Sequence, residues 1–186
     1  MHFIFCFVVM LAASVQVNAE RPNVVLIMAD DLGYHDLGGY GHPKIKTPVL
    51  DRMAKRGVKL TAFYAGATVC TPSRMALMTG SYPIRLGWSK GVVGYILSTD
   101  HGLSPKAVTM AEFFKSAGYK TALSGKWHLG DRPPFRPHRQ GFDRTFYINK
   151  SNNQTDELWR GDKLLKKPYE NRLLTEKFTV EAIDFI

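Results

Sequence analysis

Three short segments place acids, a cysteine and bases where an α/β protein does its chemistry. Asp30 and Asp31 directly follow the apolar run at residues 23–29. Adjacent carboxylates repel unless a cation or a proton relieves them, and a hard divalent cation with oxygen ligands is a natural relief. Asp also opens turns, so a turn is the other reading of the pair. Cys70 precedes Thr71-Pro72, a helix-opening pair, so its sulfur belongs at a helix N-terminus where the dipole stabilises negative charge. Arg74, four residues on, is within reach of the same spot, and backbone N–H groups with a guanidinium would suit an anion. A buried, inert cysteine with a solvated Arg74 is the alternative. Lys126 and His128 flank Trp127 after a strand, and in extended chain residues two apart share a face. Lys offers a point charge and His a proton acceptor; surface scatter is the plainer reading of Lys-x-His. His35, His42, His101 and His138 lack a partner pattern and read as loop or surface residues.

The positioning elements follow from patterning. Residues 23–29 are continuously apolar and branched, as in a strand covered on both faces. Thr47-Pro48 opens a helix over Pro48–Arg56 that Gly57 closes. Residues 58–65 predict a second strand, and residues 72–78 a short helix ending at Gly80. Residues 87–102 form a glycine-punctuated loop. Thr109, with Glu112 three residues on, predicts a capping box for a helix over 110–117, ended by Gly118. Residues 121–124 predict a third strand, and the Pro- and Arg-rich residues 131–141 a loop. Gly161-Asp162 sits between two short strands as a hairpin, and residues 173–186 carry helical periodicity. Strand and helix alternate as in an α/β sheet with crossover connections. The last helix has no cap after Ile186, which predicts the opening part of a larger domain.

Composition adds bounds. The chain has 186 residues, 45% apolar and 22% charged, with a net charge of +9. That suits anionic partners. No dense Lys/Arg run or nucleic-acid motif occurs, so nucleic acid is not an expected partner. Residues 1–19 read as a secretory signal peptide, with a short apolar stretch and a small-x-small site at Val17-Asn-Ala19. Its removal takes Cys6 and leaves Cys70 as the one cysteine of an exported chain. No membrane association is expected after cleavage. Two sequons, at Asn149 and Asn153, fit N-glycosylation of a surface loop.

Cys70-Thr-Pro-Ser-Arg74 followed by Thr79-Gly80 resembles the signature of the type I, formylglycine-dependent sulfatases. Residues 22–33, containing Asp30-Asp31, Gly125-Lys-Trp-His-Leu-Gly130 and Gly141-Phe-Asp143 resemble further landmarks of that family in its order. The likeness is nearest the arylsulfatase A and N-acetylgalactosamine-6-sulfatase branch, and Ser81 stands where many members have Arg. The resemblance implies an alkaline-phosphatase-like α/β fold, a mixed sheet flanked by helices, with residues 20–186 as the N-terminal portion of a catalytic domain. It implies hydrolysis of sulfate esters, aryl or carbohydrate. It implies that a maturation enzyme oxidises Cys70 to Cα-formylglycine, whose hydrate attacks sulfur and later expels sulfate. It further implies one calcium ion held by Asp30, Asp31 and the modified Cys70. Arg74 would stabilise the formylglycine, Lys126 would bridge it to sulfate, and His128 would assist proton transfer. The family's second His, second Lys and Asp-Asn metal pair have no counterpart before Ile186, so about half a site is expected here. The expected setting is periplasmic, extracellular or lysosomal.

Three other readings compete. One is a truncated, inactive fragment that binds a metal or a sulfated glycan weakly. Another is a phosphate or phosphonate ester hydrolase on the same fold. The third is a thiol enzyme using Cys70 unmodified, which the Asp pair and Lys-x-His fit poorly.

Overall fold

The computed structural model describes residues 21–89, 91–94 and 100–186. The chain divides into two units at Thr47/Pro48. The proposed leader lies outside the described residues.

The described part of the first unit is loop with one 3-10 turn at Gly38–Tyr40. Asp36 Oδ2 accepts from Gly33 N at 2.6 Å, and Gly38 N donates to Thr47 Oγ1 at 2.9 Å. Tyr34 packs edge-on against His35 and Tyr40.

The second unit holds α1 (Pro48–Arg56), α2 (Cys70–Thr79), α3 (Met110–Ser116), β1 (Ala122–Lys126), β2 (Arg144–Ile148), β3 (Leu158–Arg160), β4 (Lys163–Lys166) and α4 (Leu174–Phe185). The strands form one sheet in the order β1-β2-β3-β4. β1 and β2 run parallel, with Ala122 opposite Arg144 and Lys126 opposite Ile148, while the β2/β3 and β3/β4 pairs are antiparallel. The expected mixed sheet with flanking helices is present. The β1-to-β2 crossover, however, carries only 3-10 turns, at Pro133–Phe135 and Pro137–Arg139. Its three prolines, Pro133, Pro134 and Pro137, remove backbone donors an α-helix needs.

β2 is the central anchor, and its alternation sorts the core onto two faces. Tyr147 joins Met75 and Met78 of α2, Ala111 of α3, and Leu103, Trp127 and Leu129. Phe146 and Ile148 join Leu158, Tyr169 and Leu174, with Phe178 of α4 packed on them. The sequence reading assigned no strand here, although Arg-Thr-Phe-Tyr-Ile is rich in strand-favouring types.

Two expected strands do not form. Residues 23–29 and 58–65 are irregular, and Ile27, Val58 and Tyr64 are 81%, 84% and 85% exposed. An apolar run becomes a strand only where a neighbouring strand takes up its N–H and C=O groups. Neither segment has a place in the four-stranded sheet.

Local signals fared better. α1 spans the expected residues, and Gly57 N bonds to Met53 O at 3.0 Å. The hairpin around Gly161-Asp162 is β3 and β4. The capping box is formed: Thr109 Oγ1 accepts from Glu112 N at 3.1 Å, and Thr109 N donates to Glu112 Oε2 at 2.8 Å. The same hydroxyl donates to Gln140 O at 2.8 Å, and both residues are buried. Gly141 follows with φ +95, and a Cβ there would lie 2.5 Å from Glu112 N. Thr109→Ala is therefore expected to cost about 1–2 kcal/mol, a lost cap plus a stranded carbonyl. Urea unfolding checks this. Thr109→Ser should recover most of the loss, and no recovery would show that methyl packing dominates.

Tyr147 gives the fold a pH limit. Burial pushes its phenol up from 10.0 to about 12, with Arg136 opposing and Asp162 and Asp131 assisting. Its hydroxyl donates to Gly161 O at 3.1 Å. A raised phenol favours the neutral, folded form, so this stability is complete below the unfolded value and is lost as pH climbs through the folded one. Between about pH 9.5 and pH 11.5 the wild type should lose roughly 1–2 kcal/mol more than Tyr147→Phe. Parallel denaturation curves for the two proteins across that window would contradict this account.

Candidate active site

α2 begins two residues earlier than its sequence suggested. Val69 is extended (φ −130, ψ 162) and Cys70 is the first helical residue. Ser73 N closes the first turn on Val69 O at 3.1 Å. Pro72 fits because N–H groups of a first turn have no helical acceptor. The half-buried Cys70 thus lies at the positive end of the helix dipole, as expected. Gly80, left-handed at φ 63, ends the helix with its N bonded to Ala76 O at 2.9 Å.

The end of β1 meets that turn. Lys126 Nζ donates to Cys70 Sγ at 3.1 Å and to Ser151 Oγ at 2.9 Å. Arg74 Nη1 donates to Lys126 O at 2.5 Å. Cys70, Arg74 and Lys126 are therefore brought together directly. Trp127 packs into the core at 2% exposure, with Nε1 donating to Phe135 O at 2.8 Å and its ring edge-on to Phe142.

His128 departs from the expected pattern. Its φ is 57, so the alternation of β1 stops short of it. The ring is fully buried, with Nε2 3.0 Å from Val93 O. Its link to the cysteine helix runs through Thr71, whose Oγ1 donates to His128 O at 2.9 Å. Among the described residues, Asp31 and His128 are the non-glycine positions with positive φ. Asp and His are both among the non-glycine types that enter that region more readily, and such conformations concentrate at functional sites.

Ser151 is a site residue that sequence reading missed. It read only as the third position of the Asn149 sequon, a role unrelated to Lys126. That sequon also needs correcting. Asn149 is 6% exposed, so a glycan has no outlet there, whereas Asn153 is exposed.

The Gly141-Phe-Asp143 landmark braces β1. Thr121 Oγ1 donates to Gly141 O at 2.7 Å, and Asp143 Oδ2 accepts from Thr121 N at 3.1 Å. The Lys115 ammonium, with help from Thr121, holds the Asp143 carboxyl below its ordinary range. His138 is not a simple surface residue: its side chain is 17% exposed and Nε2 lies 3.0 Å from Asp162 Oδ2.

Asp30 and Asp31 belong to the first unit and are exposed. Two adjacent carboxylates are hard oxygen donors, which fits a calcium ion better than a soft metal. Among the described residues no helix is long and apolar enough to cross a membrane.

A cysteine at a helix start, contacted by a lysine from a strand end that an arginine braces, is an arrangement on an α/β sheet whose charges suit an anion. The sulfatase family model matches residues 22–186, and the chain belongs to the sulfatase family. It is 49% identical to human arylsulfatase A over 146 residues, covering 77% of this chain and 28% of that protein. It is 37% identical to mouse N-acetylgalactosamine-6-sulfatase over 197 residues, covering 90% and 36%. Among solved structures, BT4656 in complex with its substrate D-glucosamine-2-N,6-O-disulfate superposes with a TM-score of 0.69 at 29% identity, covering 89% of this chain and 31% of that one. The sheet and helices are thus part of the alkaline-phosphatase-like sulfatase fold. The chain spans about a quarter to a third of the length of these curated relatives.

Proposed function

We propose that the protein hydrolyses sulfate esters, with a carbohydrate sulfate as substrate, through a formylglycine made from Cys70. The observation that carries this reading is the Lys126 ammonium 3.1 Å from Cys70 Sγ at the start of α2. Residues 20–186 are then the N-terminal portion of the catalytic domain, and residues 1–19 its export signal. The names of mouse N-acetylgalactosamine-6-sulfatase and of the BT4656 ligand support a sugar sulfate.

Each residue has a task set by its chemistry. The thiol occupies the place of the oxygens that formylglycine would present. Lys126 supplies a fixed positive charge to a sulfate there, held by Ser151 at its tip and by Arg74 at its carbonyl. The N-terminus of α2 adds the helix dipole. His128 is the residue that would assist proton transfer. Asp30 and Asp31 are the carboxylates that would hold calcium. Calcium, when bound, supplies a Lewis acid that activates a hydroxyl and neutralises sulfate charge. A maturation enzyme that oxidises Cys70 is an implied partner.

The test is fragmentation of the position-70 peptide from the full-length protein, paired with sulfate release from aryl and sugar sulfates. An aldehyde at position 70 and sulfate release are expected. An intact thiol in protein that still releases sulfate would end the formylglycine reading.

A further inference from the structure

We propose that Thr71 is a positioning residue that acts through His128, an inference resting on the sulfatase reading above. Thr71 is fully buried in the first turn of α2. Its hydroxyl makes two bonds of opposite sense. Oγ1 donates to His128 O at 2.9 Å and accepts from Val93 N at 3.2 Å. Val93 is also fully buried, and its carbonyl lies 3.0 Å from His128 Nε2. The circuit closes: Thr71 hydroxyl, His128 backbone, His128 ring, Val93 carbonyl, Val93 N–H, and back to the hydroxyl.

The circuit has two consequences for the imidazole. A carbonyl only accepts, so Nε2 donates to it, which fixes the neutral ring as the Nε2–H tautomer. The bond to the His128 carbonyl also ties down a residue whose backbone sits at φ 57, a conformation that needs outside support. Thr71 and Arg74 lie three apart on one helix face, and Lys126 and His128 lie two apart along the chain. α2 therefore grips both carbonyls, Arg74 on Lys126 O and Thr71 on His128 O. A hydroxyl is required at position 71, since only a group that donates and accepts at once completes the circuit. Serine meets that need. Valine keeps the shape and loses both bonds.

The experiment uses the full-length protein, wild type and the variants Thr71→Val, Thr71→Ala and Thr71→Ser, with p-nitrophenyl sulfate as probe. Formylglycine content is measured by peptide mass, and rates are given per formylglycine-bearing molecule. Thr71→Val and Thr71→Ala are expected to lower kcat about 10–100-fold with KM within about twofold, the signature of a misplaced proton-transfer group. Thr71→Ser is expected to stay within about threefold of wild type. The proposal is overturned by wild-type kcat in both Val and Ala variants, by a loss confined to KM, or by a serine variant as impaired as valine. A fall in formylglycine content that accounts for the whole loss also overturns it, because Thr71 would then serve maturation. Failure of the sulfatase reading shows separately, as wild-type protein with neither formylglycine nor hydrolysis of the probe.

Discussion

Cys70→Ala in the full-length protein is expected to abolish sulfate-ester hydrolysis, a loss of at least ~10⁴-fold in kcat. Alanine has no γ atom, so neither a thiol nor an aldehyde can form at the first residue of α2. The remaining charges can still bind sulfate, so affinity for a sulfated ligand should change far less than turnover. The fold should be indifferent, because Cys70 is half-buried and outside both apolar clusters. Turnover of an aryl sulfate, with circular dichroism as control for folding, makes the comparison. A well-folded variant retaining a tenth of wild-type activity would place the nucleophile elsewhere.

Lys126→Met carries the second-largest expected effect, about 10²–10³-fold in kcat/KM. Methionine keeps the length of the stem and deletes the charge. Lys126 Nζ reaches both Cys70 Sγ and Ser151 Oγ, so a sulfate at position 70 lies within reach of the ammonium. A charge held by neighbours needs little reorganisation when the substrate's own charge shifts, which is why removing it is costly. Lys126→Arg should not restore the rate, because a planar guanidinium cannot occupy the place of a compact ammonium between a sulfur and a hydroxyl. Ser151→Ala, which frees the tip without removing the charge, should cost less, about tenfold. Kinetics on the three variants decide the matter. Equal activity of Lys126→Arg and wild type would show that any diffuse positive charge suffices and that the contact to Cys70 is incidental.

What could be read locally was read correctly where the interaction closes locally. The Thr109 and Glu112 box spans three residues and needs only its own helix. Pro48 with Gly57, and Gly161 in its hairpin, are of the same kind. Residues 23–29 and 58–65 show the converse. Their apolar, branched composition matches a strand, yet a strand is a property of a pair, and the sheet is built from residues 122–166. β2 went unassigned because a five-residue run offers too little periodicity to separate it from loop.

The site divides along the same line. Residue types and order pointed to Cys70, Arg74, Lys126 and His128 as candidates, and to the family to which the chain belongs. Motif chemistry resides in side chains, and those are written in the sequence. Tertiary structure alone decided who touches whom. Lys126 meets Cys70 across 56 positions, and Thr71 meets His128 across 57. Ser151 enters because β2 ends beside β1, and His128 leaves the face of Lys126 because its backbone turns left-handed. Such contacts depend on how a helix end and a strand end are packed together, which no run of neighbouring residues encodes.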